Sequence, residues 1–424
     1  MVRILRLDSG PPLFYLLEKP FVSAAEALAL PDAAARFLPF VAIAVLFAAV
    51  RSLPPGARLR FLWLAASSPL FLLYASEARA YGVLALGGFL LFRLAARDIP
   101  GLLSTALMAA VLPWTHYLGL FLVGSLLVGA VATRRWLAAA ALGLGLAFFL
   151  PWVPVFLSQP KAATSWIRDR IAVSTTGILS GLGGGARVLP PFGQPLPEAI
   201  VWLACTAGAG LLVLLLFLRP TDTETRIGLF GVLLTLGGLL VVSVWRPIAV
   251  AGRSELAVLP IWLWLVARAG ERSRTARQAA AAVIAIGIIS NVLILGSPRA
   301  ARPFAEVPAR LEASARAGDL VVATSNFYLP TRLAHDRGRL AGELRAFPAD
   351  LADHPGWFRG ELPPPSDYRH FAEELSRVGT GRNVFLLLDP PYWTPRLREI
   401  LLSRGPLASP QKLPYGLLVV SPAR

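Results

Sequence analysis

The sequence predicts a membrane all-α protein: a polytopic helical bundle of about nine transmembrane helices over residues 37–297, followed by a small extracytoplasmic α/β domain over residues 298–424. Three observations lead there. Hydrophobic residues fill 55% of the 424 positions and charged residues only 16%, with mean hydropathy +0.61, more apolar surface than a water-soluble globule can bury. Long apolar runs recur as far as Leu295 and then stop. Arginines concentrate in alternate short loops between the runs, which is a topology signal.

The hydrocarbon core is about 30 Å thick and takes roughly 20 mostly apolar residues per helical crossing. Residues 1–36 read as an outer N-terminal segment. The runs that follow are Phe37 to Val50, Phe61 to Tyr74, Tyr81 to Phe92, Gly101 to Trp114, Leu118 to Ala132 and Trp136 to Leu157. After a long segment, Ser158 to Pro197, come Ala199 to Leu218, Ile227 to Trp245, Glu255 to Ala267 and Ala279 to Leu295. The long segment carries Lys161, Arg168, Asp169 and Arg170 and is read as too polar to cross, and Glu255 makes the run it opens short or partly exposed.

Cytoplasmic loops of membrane proteins are enriched in Lys and Arg. One set of alternate loops holds Arg51, Arg58, Arg60, Arg93, Arg97, Arg134, Arg135, Arg219, Arg226, Arg268, Arg272, Arg274 and Arg277, so these are expected inside. The opposite set, longer in total, holds only Arg79, Lys161, Arg168, Arg170, Arg187, Arg246 and Arg253. It is expected outside, with both termini. The formal charge of +16 is therefore topology and contact with anionic lipid, and nucleic acid is not an expected partner. The single cysteine, Cys205, excludes an intramolecular disulfide and a Cys-based zinc cluster, and reads as packing.

After residue 297, candidate strands Leu320 to Thr324, Val384 to Leu388 and Gly416 to Val420 alternate with candidate helices Ala305 to Ala317, Tyr368 to Val378 and Pro395 to Arg404. No glycine-rich phosphate loop follows a strand, which argues against a nucleotide-binding unit. The tail reads as an accessory or acceptor-facing domain. His335, His354 and His370 lack ligand-like spacing and read as surface residues.

Once the helices are oriented, the ionisable residues that hydropathy does not explain fall on the outer side. They are Asp8, Glu77 and Arg79, His116 with Tyr117, and Arg246, Arg253 and Glu255. Each alone could cap a helix end at the interface. Charges near membrane depth are costly unless paired or bathed by water, so their convergence marks a candidate site.

Asp8-Ser9-Gly10-Pro11-Pro12-Leu13-Phe14-Tyr15 and Ser68 through Tyr81, which contains Ser76-Glu77-Ala78-Arg79-Ala80-Tyr81, resemble motifs of the GT-C superfamily of polyprenyl-phosphate-sugar-dependent glycosyltransferases. The bacterial branch similar to protein mannosyltransferases and lipid A aminoarabinose transferases is the nearest in kind. The Glu-Ala-Arg-x-Tyr element is the specific one. Trp114-Thr115-His116-Tyr117 and Arg253 through Pro260 are weaker matches, the latter with Ser254 where the family has Tyr.

That resemblance implies an enzyme of the bacterial plasma membrane that moves a hexosyl or pentosyl sugar from a polyprenyl phosphate to an extracytoplasmic glycan, lipid or protein. It implies Asp8 and Glu77 as catalytic carboxylates, and Arg79, Tyr81, His116, Tyr117, Arg246 and Arg253 as substrate-binding residues. Arg253, with Arg79 or Arg246, would hold the phosphate. It also implies a further helix and an acidic pair ahead of Met1. No cofactor is expected, and His and carboxylate spacing leaves a divalent metal open without demanding one. Two other classes stay open. A non-catalytic subunit would keep the fold without the acidic pair. A secondary transporter would show internal repeats and polar breaks at the bilayer midplane, where this chain has Leu, Ala, Val and Gly.

Overall fold

The computed structural model describes residues 10–28, 36–75, 77, 79–98, 101–159, 171–186, 196–218, 222–296, 310–352, 363–377, 381–389, 392–403, 407, 410–413 and 416–421. Asp8 lies outside them. The chain divides into two compact units, helical through Gly296 and mixed from residue 310 onward.

The helical unit runs α1 Leu13–Ala27, α2 Phe37–Ala49, α3 Pro55–Ser67, α4 Pro69–Ala75, α5 Tyr81–Ala95, α6 Leu102–Thr115, α7 Leu118–Ala132, α8 Trp136–Ala147, α9 Val153–Ser158, α10 Ile171–Leu182, α11 Glu198–Phe217, α12 Thr223–Ser243, α13 Leu259–Arg272 and α14 Arg274–Gly296. Four stretches are long and apolar enough to cross a membrane unaided: Trp136–Ser158, Glu198–Phe217, Thr223–Ser243 and Arg274–Gly296. Shorter apolar helices complete the bundle, among them α5, α6 and α7. Its outer surface shows Leu103 at 73%, Phe217 at 77% and Trp245 at 78% exposure, side chains that need lipid rather than water around them.

The interior is organised around α13, where Leu259 through Ala267 are all buried. A helix apolar on every side belongs in a core. It packs against α3, α5, α12 and α14. Glu255 does not open this helix, contrary to expectation. It sits in a separate 3-10 turn, Ser254–Ala257, so the run counts as a full member of the bundle.

A second difference concerns the segment read as too polar to cross. It contains α10, whose Ser174, Gly177, Ile178, Ser180, Gly181 and Leu182 are buried. Thr175 and Thr176 are part-exposed and return their hydroxyls to carbonyls one turn back. The helix is too short to span. Its glycine run is a C-terminal cap: Gly184 adopts φ +90° and Gly185 N–H donates to Ser180 O at 2.8 Å. Close approach to α11 needs glycine as well, since a Cβ at Gly208 would lie 2.1 Å from Leu179 O.

Two pairs of polar groups tie helices together inside the bundle. Thr235 Oγ1 donates to Ser125 Oγ at 3.0 Å between α12 and α7, and Asn291 Nδ2 donates to Ser67 O at 2.8 Å where Pro69 interrupts α3 and α4. At the arginine-rich end, Arg93 pairs with Glu224, Arg60 with Glu271, and Arg272 with Asp222 at 2.7 Å. The Arg93 and Arg268 guanidinia lie 5.7 and 5.3 Å from the Trp264 ring centroid. Asp222 also caps α12, accepting Thr225 N–H at 2.7 Å. Asp222→Ala removes cap and ion pair together. It is expected to cost about 1 to 2 kcal/mol, read as a lower unfolding midpoint of the detergent-solubilised protein.

The second unit holds β1 Leu320–Ala323, α15 Ser325–Asp336, β2 Glu343–Ala346, α16 Pro365–Arg377, β3 Val384–Leu388, α17 Pro395–Leu402, β4 Gln411–Leu413 and β5 Gly416–Ser421. The sheet order is β2-β1-β3-β5-β4, with β1 parallel to β2 and β3 and the last two strands antiparallel. One face is covered by Phe327 and Tyr328 of α15, the other by Tyr368 and Phe371 of α16 with Leu397 and Leu401 of α17. The expected strands are present, and β2, β4 and α15 are additional. Of the expected helix Ala305 to Ala317, residues 305–309 lie outside the described residues and residues 310–314 are helical.

Candidate functional site at one end of the bundle

Three helix breaks carry the residues singled out in the sequence. The first lies between α4 and α5, where Glu77 and Arg79 occupy a tight bend with Arg79 N–H donating to Glu77 O at 2.8 Å. Their side chains pair as well, Arg79 Nε to Glu77 Oε1 at 3.4 Å. The two are unequal. The Arg79 side chain is 52% exposed, whereas that of Glu77 is 13% exposed and its Oε2 is buried with no hydrogen-bond partner among the described residues. Tyr81 begins α5 two residues later and is buried.

The second break separates α6 from α7. Pro113 sits in the last turn of α6 and His116 turns to extended backbone, φ −160° and ψ 139°. His116 Nδ1 accepts the Leu118 N–H at 3.1 Å, one of the otherwise orphaned amides that open α7. That bond leaves Nε2 as the protonated nitrogen of the neutral ring. The ring stands 5.2 Å, centroid to centroid, from the Tyr81 ring. Arg79 and Arg253 are both near enough to impose their charge on it. Residues from the three breaks therefore share one electrostatic neighbourhood around His116. Tyr117 points elsewhere, its hydroxyl accepting from Trp152 Nε1 at 3.1 Å within a cluster of Trp114, Phe149 and Phe156.

The third break lies between α12 and α13. Arg253 N–H donates to Val250 O at 3.1 Å, and Gly252 takes φ +86°, a geometry that favours glycine at the third position of such a turn. Side chains from the following 3-10 turn reach back to hold it. Ser254 Oγ accepts Val250 N–H at 2.8 Å, and Glu255 Oε1 accepts Gly252 N–H at 2.8 Å. Ser243 Oγ accepts the amides of Ile248 and Ala249, and Ser174 of α10 donates to Ala249 O at 3.2 Å. Arg246 lies at the start of this loop, after α12, and its amide donates to Val242 O.

Two acidic residues were given no role by sequence reasoning. Glu255 belonged to the outer cluster, yet hydropathy could not show that it is fully buried. Glu18, on the face of α1, has Oε1 buried without a partner among the described residues, and burial pushes its carboxyl up to about 7. Among the described residues no three His, Cys, Asp or Glu side chains gather in a way that could hold a metal ion.

Fold and cluster together define a class, a polytopic membrane protein whose unexplained charges collect at helix breaks on the end opposite its arginine-rich ion pairs. The particular fold is that of ArnT. The crystal structure of ArnT from Cupriavidus metallidurans bound to undecaprenyl phosphate superimposes with TM-score 0.58, and that of its apo state with 0.56. Each is 13% identical and covers 97% of this chain and 88% of the other. The chain thus has the architecture that the GT-C resemblance implied, and multi-pass membrane character with it. No family model matches the chain, and no curated protein matches it.

Proposed function

We propose that the chain is a membrane glycosyltransferase that moves a sugar from a polyprenyl phosphate to an acceptor on the outer side of the bacterial plasma membrane. The supporting observation is the pairing of Glu77 with Arg79 and of Tyr81 with His116, with Arg253 in electrostatic range of His116, at one end of a bundle with the ArnT fold. Guanidinia suit a lipid phosphate: they are always charged, fork toward two oxygens, and stabilise the charge left when the phosphate departs. In the displacement, an acceptor hydroxyl oxygen bonds to the anomeric carbon while the carbon–phosphate oxygen bond breaks. The lipid phosphate leaves with the bonding electrons, and the hydroxyl proton passes to a carboxylate, with Glu77 and Asp8 as the candidates.

Orientation is the first thing to test, because the reading requires the site end to face outward. Cysteine introduced at Ser158 or Ser366 is expected to react with an impermeant thiol reagent applied to intact cells, and cysteine at Ser273 is not. Labelling of Ser273 with silence at the other two would place the site on the wrong side for a polyprenyl-phosphate sugar donor and overturn the reading.

A further inference from the structure

The Arg253 turn is braced by an acidic residue that the chemistry above does not use. Glu255 is 0% exposed, its Oε1 accepts Gly252 N–H at 2.8 Å, and its Oε2 is buried with no hydrogen-bond partner among the described residues. Keeping a carboxylate in such a place is expensive, and the apolar neighbours of α13 would fill the space more cheaply. The helix beside it is shaped around it. A Cβ at Gly181 of α10 would come within 2.5 Å of Glu255 Oε1, so only glycine at that position leaves room for the carboxylate. α10 is also fixed to both flanks of the turn: Ser174 Oγ donates to Ala249 O ahead of it, and Trp262 Nε1 donates at 2.9 Å to Leu182 O behind it.

We propose that Glu255, held between Gly181 and the Gly252 turn, is a positioning residue that sets where Arg253 presents its guanidinium to the donor phosphate. The inference rests on the reading of Arg253 as a phosphate anchor. The turn is a short irregular segment between two apolar helices, and without a tie to the Gly252 amide its φ +86° state competes with others. One carboxylate oxygen fixes that state. The segment that supplies the bracing, α10, is the one whose charged and glycine-rich flanks conceal it in the sequence.

The test uses the purified full chain in lipid nanodiscs with undecaprenyl phosphate as probe, and reads affinity in a double-mutant cycle. Glu255→Ala is expected to weaken binding about tenfold, the scale of losing one buried hydrogen bond. Glu255→Gln keeps an oxygen for the Gly252 amide and is expected to restore most of it. Gly181→Ala should weaken binding in the native background and have little effect once Glu255 is Ala. The deciding variant is Arg253→Ala with Glu255→Ala, expected to bind no worse than Arg253→Ala alone. Multiplying losses would show that Glu255 acts apart from Arg253 and would overturn this proposal while leaving the phosphate reading intact. Unchanged affinity in Arg253→Ala alone would overturn both. Amide hydrogen exchange at residues 250–253 supplies a readout without ligand: it should speed up in Glu255→Ala and not in Glu255→Gln. If Glu255→Ala does not fold, Glu255→Asp withdraws the carboxylate from the same amide and carries the cycle.

Discussion

Replacing Glu77 by Gln is expected to leave a folded protein that binds donor and transfers sugar about 100-fold to 10,000-fold more slowly, the usual cost of losing a general base. The geometry separates this from a purely structural effect. Arg79 is half exposed and its contact with Glu77 is 3.4 Å long, so the pair contributes about 1 kcal/mol at most. Gln preserves the shape of that contact. A structural role would therefore show as a small drop in unfolding midpoint, with transfer per folded molecule unchanged. A base would show the reverse, because the oxygen that matters is Oε2, buried and without a partner among the described residues. Asp8→Asn belongs in the same experiment, since Asp8 is the other carboxylate that the GT-C resemblance implies as catalytic. Full transfer by a protein with both carboxylates neutralised would end the proposed base role for either.

Particular elements show how much of this was legible in the sequence. Helices such as α7 and α11 announce themselves because lipid demands uniform apolarity over a fixed length, and a hydropathy run reports that directly. α10 does not, because its twelve mostly apolar residues lie between Arg168, Asp169 and Arg170 on one side and a glycine run on the other, too short a stretch to stand out as a crossing. β2 was missed for a related reason: its Glu343-Leu344-Arg345-Ala346 is an edge strand whose charges pair along the surface, Arg345 with Glu343 at 2.7 Å and with Glu374 at 2.9 Å. In the site, residue types and helix ends were readable, so Glu77, Arg79, His116 and Arg253 could be named in advance. Their arrangement was not. That His116 spends Nδ1 on the Leu118 amide and that Tyr117 turns into an aromatic cluster depend on backbone angles at a break, which periodicity does not encode.

Arg253→Ala is expected to weaken binding of a polyprenyl phosphate about 10-fold to 150-fold, the range for losing charge-assisted hydrogen bonds to a phosphate. Arg253→Lys is expected to recover only part of that. An ammonium restores charge near His116 but not the planar fork that engages two phosphate oxygens at once. The built turn makes the difference measurable, since Gly252, Ser254 and Glu255 fix the backbone from which the side chain departs and a replacement starts from the same place. Arg79 is the internal control. It is more exposed and already engaged with Glu77, so Arg79→Ala should weaken binding less and should disturb turnover through Glu77 instead. The comparison to make is donor affinity against turnover for the three variants, with unfolding midpoints alongside. If Arg253→Lys matches the wild type, the anchor is simple charge. If Arg79→Ala costs more affinity than Arg253→Ala, the phosphate sits at the α4–α5 bend and the role assigned to Arg253 passes to Arg79.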